Sequence, residues 1–396
     1  MNQPAGSPLS LIPLPAGFRA AGLWAGIKRE GRGTDLALLV ADRAGPAAAM
    51  FTTNALLGAH VHVCREHLAK SGGLVRAVLV NSGNANCATG ARGLEDARRI
   101  CAALAERLGC PTEQVLSIST GAIGARLPTD KILTALPQLV DTADADGASA
   151  FARAIMTTDS GPKLETADAG DARVTGIAKG AGMIHPDMAT MLGFLATDAP
   201  LGQRDTAALL HRVVDQTFHR ISVDGDTSPN DTVLLWSSGT AETNAADLEP
   251  ALTDVATRLC RQIAGDGEGA TRLVVVEVRG AKTESDAARV GRLIATSPLV
   301  KTAIAGRDPN WGRILSTAGR AGVPIDVDHA RVWIGSTVVF DRGEPFPERE
   351  PEAWNHLNEN HEVTIGVDLA VGTAAADIYT CDLTADYVRI NADYRT

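Results

Sequence analysis

The stretch Lys179-Gly-Ala-Gly-Met-Ile-His-Pro-Asp-Met-Ala-Thr190-Met-Leu-Gly-Phe194 decides how this chain is read. A Gly-containing loop runs into Ala189-Thr190. An apolar run, Met191 to Ala196, follows at once and reads as a buried strand. A threonine between a loop and a rigid strand is open to two readings. As an ordinary strand start it does no chemistry, and local pattern alone favours this because such starts are common. As a nucleophile it needs a base. One compact base is the free amine of the same residue, which exists only if the chain is cut before Thr190.

Composition narrows the field. With 396 residues the chain can form two or three domain-sized units around a large core. Its 45% hydrophobic and 21% charged content is that of a soluble globular protein. Aromatics make up only 4% while Ala and Gly are abundant, which suits close-packed α/β layers. A net charge of −10, with no arginine-rich stripe, argues against a nucleic-acid binder. Met1 to Ala16 has no basic segment leading into an apolar core, and no window of about 18 apolar residues occurs. A cytoplasmic protein off the membrane is expected. The cysteines (64, 87, 101, 110, 260 and 381) are scattered without a C-x-x-C pair, so they read as reduced and structural rather than as zinc ligands.

The elements alternate between strand and helix. Asp35 to Val40, Val75 to Val80, Val115 to Ser119, Leu273 to Val278, Val332 to Ile334 and Val363 to Val367 read as strands. Leu94 to Leu108, Asp205 to His219 and Asp286 to Ala295 read as amphipathic helices. Asp141 to Gly147 and Thr166 to Ala172 are polar and small, and read as exposed connections. The strand order is not readable.

Several motifs fail on context. Gly265-Asp-Gly-Glu-Gly-Ala270 matches a dinucleotide fingerprint, but it follows a helix and precedes a strand, the reverse of what a pyrophosphate site needs. Asp224-Gly-Asp-Thr-Ser-Pro-Asn-Asp231 resembles a calcium loop, yet Pro229 stands where the turn needs Gly and Leu235 where the bidentate Glu belongs. It reads as a structural Asp-rich turn. Ser160-Gly-Pro-Lys163 has S-x-x-K spacing, but Gly-Pro disfavours the helical turn that would bring Lys onto Ser. Other polar groups survive. Ser119-Thr120-Gly121-Ala-Ile-Gly124 is either an oxyanion-holding turn or a plain strand-to-helix turn. Thr157-Thr158-Asp159 follows an apolar helix end, and Asn81-Ser-Gly-Asn84-Ala-Asn86 is a polar loop after a strand.

Together, K-G-A-G-M-I-H-P-D-M-A-T-M-L, N-S-G-N-A-N, S-T-G-A-I-G, I-M-T-T-D and the terminal N-A-D-Y-R-T resemble the ornithine acetyltransferase family, the bifunctional glutamate N-acetyltransferase/amino-acid acetyltransferases of arginine biosynthesis. The resemblance runs from Gly17-Phe-Arg-Ala-Ala-Gly22 to Thr396. It implies an α/β fold of the ornithine acetyltransferase type, self-processed at Ala189-Thr190. The products would be an α chain of residues 1–189 and a β chain of residues 190–396, two such pairs forming a heterotetramer.

Carried over by motif, the resemblance makes Thr190 the nucleophile and Thr120 and Gly121 the oxyanion hole. It makes Thr157, Lys179, Thr190, Glu268, Asn391 and Thr396 substrate-binding. The implied reaction passes the acetyl group of N2-acetylornithine to glutamate through acetyl-Thr190. No metal or other cofactor is required, and acetyl-CoA is a second donor if the enzyme is bifunctional. Position 187 departs from the pattern, with Asp where many relatives carry Asn. Three alternatives remain: a same-family acyltransferase of a specialised pathway, an N-terminal-nucleophile amidase or aminopeptidase, and an uncut protein that only binds acetylated amino acids.

Overall fold

The computed structural model describes residues 12–185, 191–242 and 248–393. Among them, fourteen strands form two sheets flanked by helices. The first sheet contains β1 (Phe18–Leu23), β2 (Leu36–Phe51), β3 (Leu74–Asn84), β4 (Val115–Ala122), β5 (Lys163–Ala169), β6 (Ala172–Lys179), β7 (Leu192–Thr197) and β8 (Thr232–Ser237). The second contains β9 (Leu273–Ala281), β10 (Arg331–Ile334), β11 (Thr337–Asp341), β12 (Glu344–Pro345), β13 (Glu362–Asp368) and β14 (Ala374–Cys381).

The first sheet runs β4-β3-β2-β8-β7-β6-β5, with β1 also paired to β2. The β3/β4 and β7/β8 pairs are parallel, and the other neighbours are antiparallel. Every residue of β7 and β8 is buried. Their near-continuous apolar sequences, Leu-Gly-Phe-Leu-Ala-Thr and Thr-Val-Leu-Leu-Trp-Ser, are those of strands covered on both faces. Because side chains alternate along a strand, Leu195, Val233 and Leu235 join one core with helices Gln203–Gln216 and Leu248–Gly265. Phe194, Ala196, Leu234 and Trp236 join another with helix Ala148–Ile155. Helix Leu248–Gly265 turns Leu252, Val255, Ala256, Leu259 and Ile263 inward at helical spacing. It lies so close to β6 that a Cβ on Gly176 would stand 2.5 Å from Val255 Cγ1.

In the second sheet, ordered β12-β11-β10-β13-β9-β14, β9 is parallel to β13 and antiparallel to the edge strand β14, and helices Glu284–Ala295 and Trp311–Gly319 share its core. The buried Lys301 ties β14 of the second sheet to the segment between helix Gln203–Gln216 and β8. Its Nζ donates to Val223 O at 2.8 Å, Thr380 Oγ1 at 3.0 Å and Cys381 O at 2.5 Å. The six cysteines are free, and all but Cys110 are buried, in keeping with structural roles.

The expected strands and helices are present, with three differences. Thr166 to Ala172 is not an exposed connection. It forms the end of β5, the turn of Gly170 and Asp171, and the start of β6. Small residues suit this place because Ala169 and Ala172 are packed in the core beside helix Leu248–Gly265. The polar run after β3 is not a free loop either, since β3 continues to Asn84. The helix read over Asp205 to His219 ends at Gln216 and gives way to a 3-10 turn from Phe218. The predicted boundary between residues 189 and 190 falls inside one sheet: β6 and β7, on either side of it, are paired neighbours.

Phe194 is 1% exposed and meets Phe151 edge-on, with ring centroids 5.2 Å apart. Phe194→Ala is expected to lower unfolding stability by about 3–5 kcal/mol, read as a fall in the urea midpoint at unchanged m-value.

Candidate active site

The ends of several strands converge on a cleft open to solvent. Thr120 and Gly121 come from the end of β4 and Lys179 from the end of β6. Thr157 and Thr158 follow helix Ala148–Ile155, and Glu268 follows helix Leu248–Gly265. Ser228, Pro229 and Asn230 precede β8, and Asn391 lies on helix Ala385–Asp393. Six residues singled out in the sequence, Thr120, Gly121, Thr157, Lys179, Glu268 and Asn391, therefore share one cavity wall. Ala189, Thr190, Asp187 and Thr396 lie outside the described residues.

The turn at the end of β4 is built by hydrogen bonds. Gly121 has φ +131, and a Cβ there would stand 2.4 Å from Gly83 C and 2.5 Å from Asn84 N. Only glycine fits both this conformation and this closeness. The polar run after β3 supports the turn from within. Ser119 Oγ donates to Asn81 Oδ1 at 2.6 Å, and Asn81 Nδ2 donates to Asn84 O at 2.9 Å. Asn230 Nδ2 bridges from the next loop to Ala85 O at 2.5 Å and Ser119 O at 2.7 Å. Buried backbone carbonyls are thereby satisfied, and the backbone around Thr120 and Gly121 is held rigid.

Lys179 is the cation of the site. It is 2% exposed, and its Nζ donates to Thr120 Oγ1 at 3.4 Å. Burial pushes its ammonium pKa down. Asp159, Asp231 and Glu268 oppose that shift, while Lys163 adds to it. Burial also works against ionisation of Asp159, but Lys163 and Lys179 beside it hold its carboxyl well below the usual carboxylate range. Asp159 accepts from Lys163 Nζ at 2.7 Å, Gly180 N at 2.6 Å and Thr157 N at 2.9 Å. It thus fixes both the Thr157 turn and the chain just beyond Lys179. Lys163 also bonds Asp266 at 2.6 Å, and Ser160 bonds the same carboxylate, so the S-x-x-K pair is structural. Glu268 sits opposite, its Oε2 accepting from Asn391 Nδ2 at 2.8 Å.

The Asp-rich segment 224–231, read from sequence as structural, is part of the site. Asp224 accepts from Met183 N at 2.6 Å and Ile184 N at 2.8 Å. Asp231 Oδ1 accepts from Met191 N at 3.1 Å. Two carboxylates from one segment thus hold the chain on either side of residues 186–190. Ser228, Pro229 and Asn230 line the cleft without having been singled out from residue type, and the density of Ser, Asn and Asp immediately before a wholly apolar strand is the available signal.

The geometry suits acyl transfer: a rigid Gly turn with a hydroxyl and a buried cation, beside a strand start, with a carboxylate–amide pair across the cleft. A family model described as "ArgJ family" matches residues 19–396. Relatives called arginine biosynthesis bifunctional protein ArgJ include one from Parasynechococcus marenigrum. It is 47% identical, covering 97% of this chain and 95% of that protein. Another, from Thermus thermophilus, is 47% identical over 97% of this chain and 100% of its own length. A crystal structure of arginine biosynthesis bifunctional protein ArgJ from Bacillus halodurans superposes with a TM-score of 0.51 at 42% identity. It covers 52% of this chain and all of the crystallised one.

Gly121→Ala is expected to force the β4 turn away from Gly83 and to lower kcat by on the order of 10²-fold while the protein stays folded, as checked by steady-state kinetics alongside circular dichroism.

Proposed function

The chain belongs to the ArgJ family, and on that premise we propose that it is an acyltransferase that moves the acetyl group of N2-acetylornithine to glutamate through an acetyl-Thr190 intermediate, within arginine biosynthesis. The observation that carries this reading is the convergence of Thr120, Gly121, Thr157, Lys179, Glu268 and Asn391 on one cleft, although they span most of the chain. Met191, the neighbour of Thr190, is anchored to Asp231 beside the cleft-lining Asn230.

Processing comes first. Thr190 Oγ attacks the Ala189 carbonyl, the peptide C–N bond breaks, and the resulting ester is hydrolysed by water. The Ala189 carboxylate and the Thr190 α-amine are the products. The α chain (1–189) and β chain (190–396) stay together because β6 and β7 pair within one sheet, and two such pairs form a heterotetramer. A relative whose whole crystallised chain matches only 52% of this one is in keeping with processing.

Transfer follows in two halves. Thr190 Oγ bonds to the acetyl carbonyl carbon as its proton passes to the α-amine. Thr120 and the Gly121 turn stabilise the tetrahedral oxyanion, with Lys179 adding positive charge behind Thr120. The C–N bond to ornithine breaks, and the leaving nitrogen takes the proton from the α-ammonium. Glutamate then attacks with its amine and loses a proton to the α-amine, and as the acetyl–oxygen bond breaks Thr190 Oγ takes that proton back from the α-ammonium. Glu268 attracts the cationic end of ornithine, and Lys179 with the C-terminal polar residues holds the α-carboxylate common to both ligands. The chemistry asks for no metal, nucleotide or flavin, and acetyl-CoA is a second acetyl donor only if the enzyme is of the bifunctional type. The enzyme works in the cytoplasm. Among the described residues no helix is long and apolar enough to cross a membrane.

Intact mass and N-terminal sequencing of the wild-type protein are expected to show two chains, one beginning at Thr190, while Thr190→Ala stays uncut and inactive. A fully active single chain overturns the reading. Initial rates against both substrates are expected to give parallel double-reciprocal lines, with Thr120→Ala lowering kcat on the order of 10²-fold and KM little. Intersecting lines, or acetate release without glutamate, point instead to direct transfer or to an amidase.

A further inference from the structure

Lys28 belongs to the segment between β1 and β2, and the reaction outlined above does not use it. The buried Asp35 pins that segment, its carboxylate accepting from Ala25 N at 2.6 Å, Ile27 N at 2.6 Å and Lys28 N at 2.8 Å. Lys131 adds a further tie, from Nζ to Gly26 O at 2.6 Å. From this fixed backbone the aliphatic stem of Lys28 runs over Gly83. There φ is +95, and a Cβ would stand 2.9 Å from Lys28 Cγ. Gly83 is the residue whose backbone packs against Gly121. Beyond the stem, Lys28 Nζ donates to Thr34 O at 2.9 Å and to Met156 O at 2.8 Å. Met156 O belongs to the peptide group whose N–H is that of the cleft-lining Thr157. That N–H donates to Asp159 Oδ2 at 2.9 Å. One peptide is thus gripped at both ends, its carbonyl by a cation and its N–H by an anion.

We propose that Lys28 is a further positioning residue of the acyl-transfer site, its ammonium clamping the Met156–Thr157 peptide against Asp159 and so fixing Thr157 for substrate binding. This rests on the reading that the cleft takes N2-acetylornithine. The charged groups that face the Lys28 ammonium are Asp35 just before β2, Lys179 at the end of β6 and Asp159 after helix Ala148–Ile155. Burial lowers the Lys28 pKa to about 8; Lys179 adds to the shift, while Asp35 and Asp159 oppose it. Deprotonation replaces a charge-assisted bond to Met156 O by a weaker neutral one. It also removes positive charge from beside Lys179, where the substrate carboxylate is read to lie. The stem over Gly83 is unchanged by that step, so the oxyanion turn keeps its shape. Loss of the charge should therefore weaken substrate binding and spare the chemical step.

The test is the pH dependence of KM for N2-acetylornithine, and of kcat, in wild type, Lys28→Met and Lys28→Arg, with the fold of each checked by circular dichroism. Methionine keeps most of the stem over Gly83 and removes the charge. Arginine keeps a charged donor that does not titrate in this range. In wild type, KM should rise about tenfold, the fold-change of one charged hydrogen bond, as the pH passes above about 8, with no fall in kcat. Lys28→Met should show the high KM at every pH, without a step. Lys28→Arg should hold the low KM throughout. A wild-type KM that is flat across this range overturns the proposal. So does a Lys28→Met enzyme with wild-type KM, or one whose KM still steps at the same pH, because the titrating group is then elsewhere and Lys28 is only a strut. If Lys28→Met does not fold, Lys28→Arg decides, and a wild-type step retained in it overturns the assignment. Each of these results leaves the acetyl transfer reading intact. A wild type that transfers no acetyl group removes both readings together.

Discussion

The site depends on the register in which β6, β7 and β8 meet. Lys179 is opposite Leu192 across the antiparallel β6/β7 pair, and Leu192 is opposite Thr232 across the parallel β7/β8 pair. A buried lysine, the start of a core strand and the carboxylate of Asp231 are thereby brought to one level. Because both faces of β7 and β8 are packed, a one-residue slip would exchange the residues on their two faces and is strongly opposed. The core thus serves the chemistry directly, by fixing where strand ends stop.

Electrostatics at this level follows from burial. An unpaired lysine as enclosed as Lys179 would be expensive, and the surrounding carboxylates offset that cost without covering the cleft side. Asp159 works chiefly as scaffold, spending its acceptor capacity on Lys163, Gly180 and Thr157. Asp224 and Asp231 instead hold backbone amides on the two sides of the Ala189-Thr190 junction. Backbone amide to carboxylate bonds hold a chain in this way whatever its side chains.

Much of this was legible in advance. The apolar run Met191 to Ala196, the Gly turn after Ser119 and the polar turn after Ile155 were all visible from residue type and spacing, and each occupies the place expected of it. Other parts were misread. Thr166 to Ala172 looked exposed because its residues are small and polar, but smallness is what packing against helix Leu248–Gly265 requires. Asn81 to Asn86 looked like a loop because amides disfavour strands, yet here the amides are consumed by buried partners. Asp224 to Asp231 reads as a structural Asp-rich turn because its partners, the amides of Met183, Ile184 and Met191, are remote in sequence.

By itself the sequence determined the class of fold, because periodicity of apolar residues is a local property, while the residue types beside glycine turns left the chemistry open. It also pointed, through a resemblance spread over the whole chain, to residues as far apart as Thr120 and Asn391. The strand order β4-β3-β2-β8-β7-β6-β5 was decided only in three dimensions. So was the bond from Lys179 to Thr120, along with the convergence of a β4 turn, a β6 end and a helix near the C-terminus on one cleft. Such contacts join segments remote in the chain. They are selected by how two packed sheet faces and their helices exclude water together, a free energy that no short stretch of sequence carries alone.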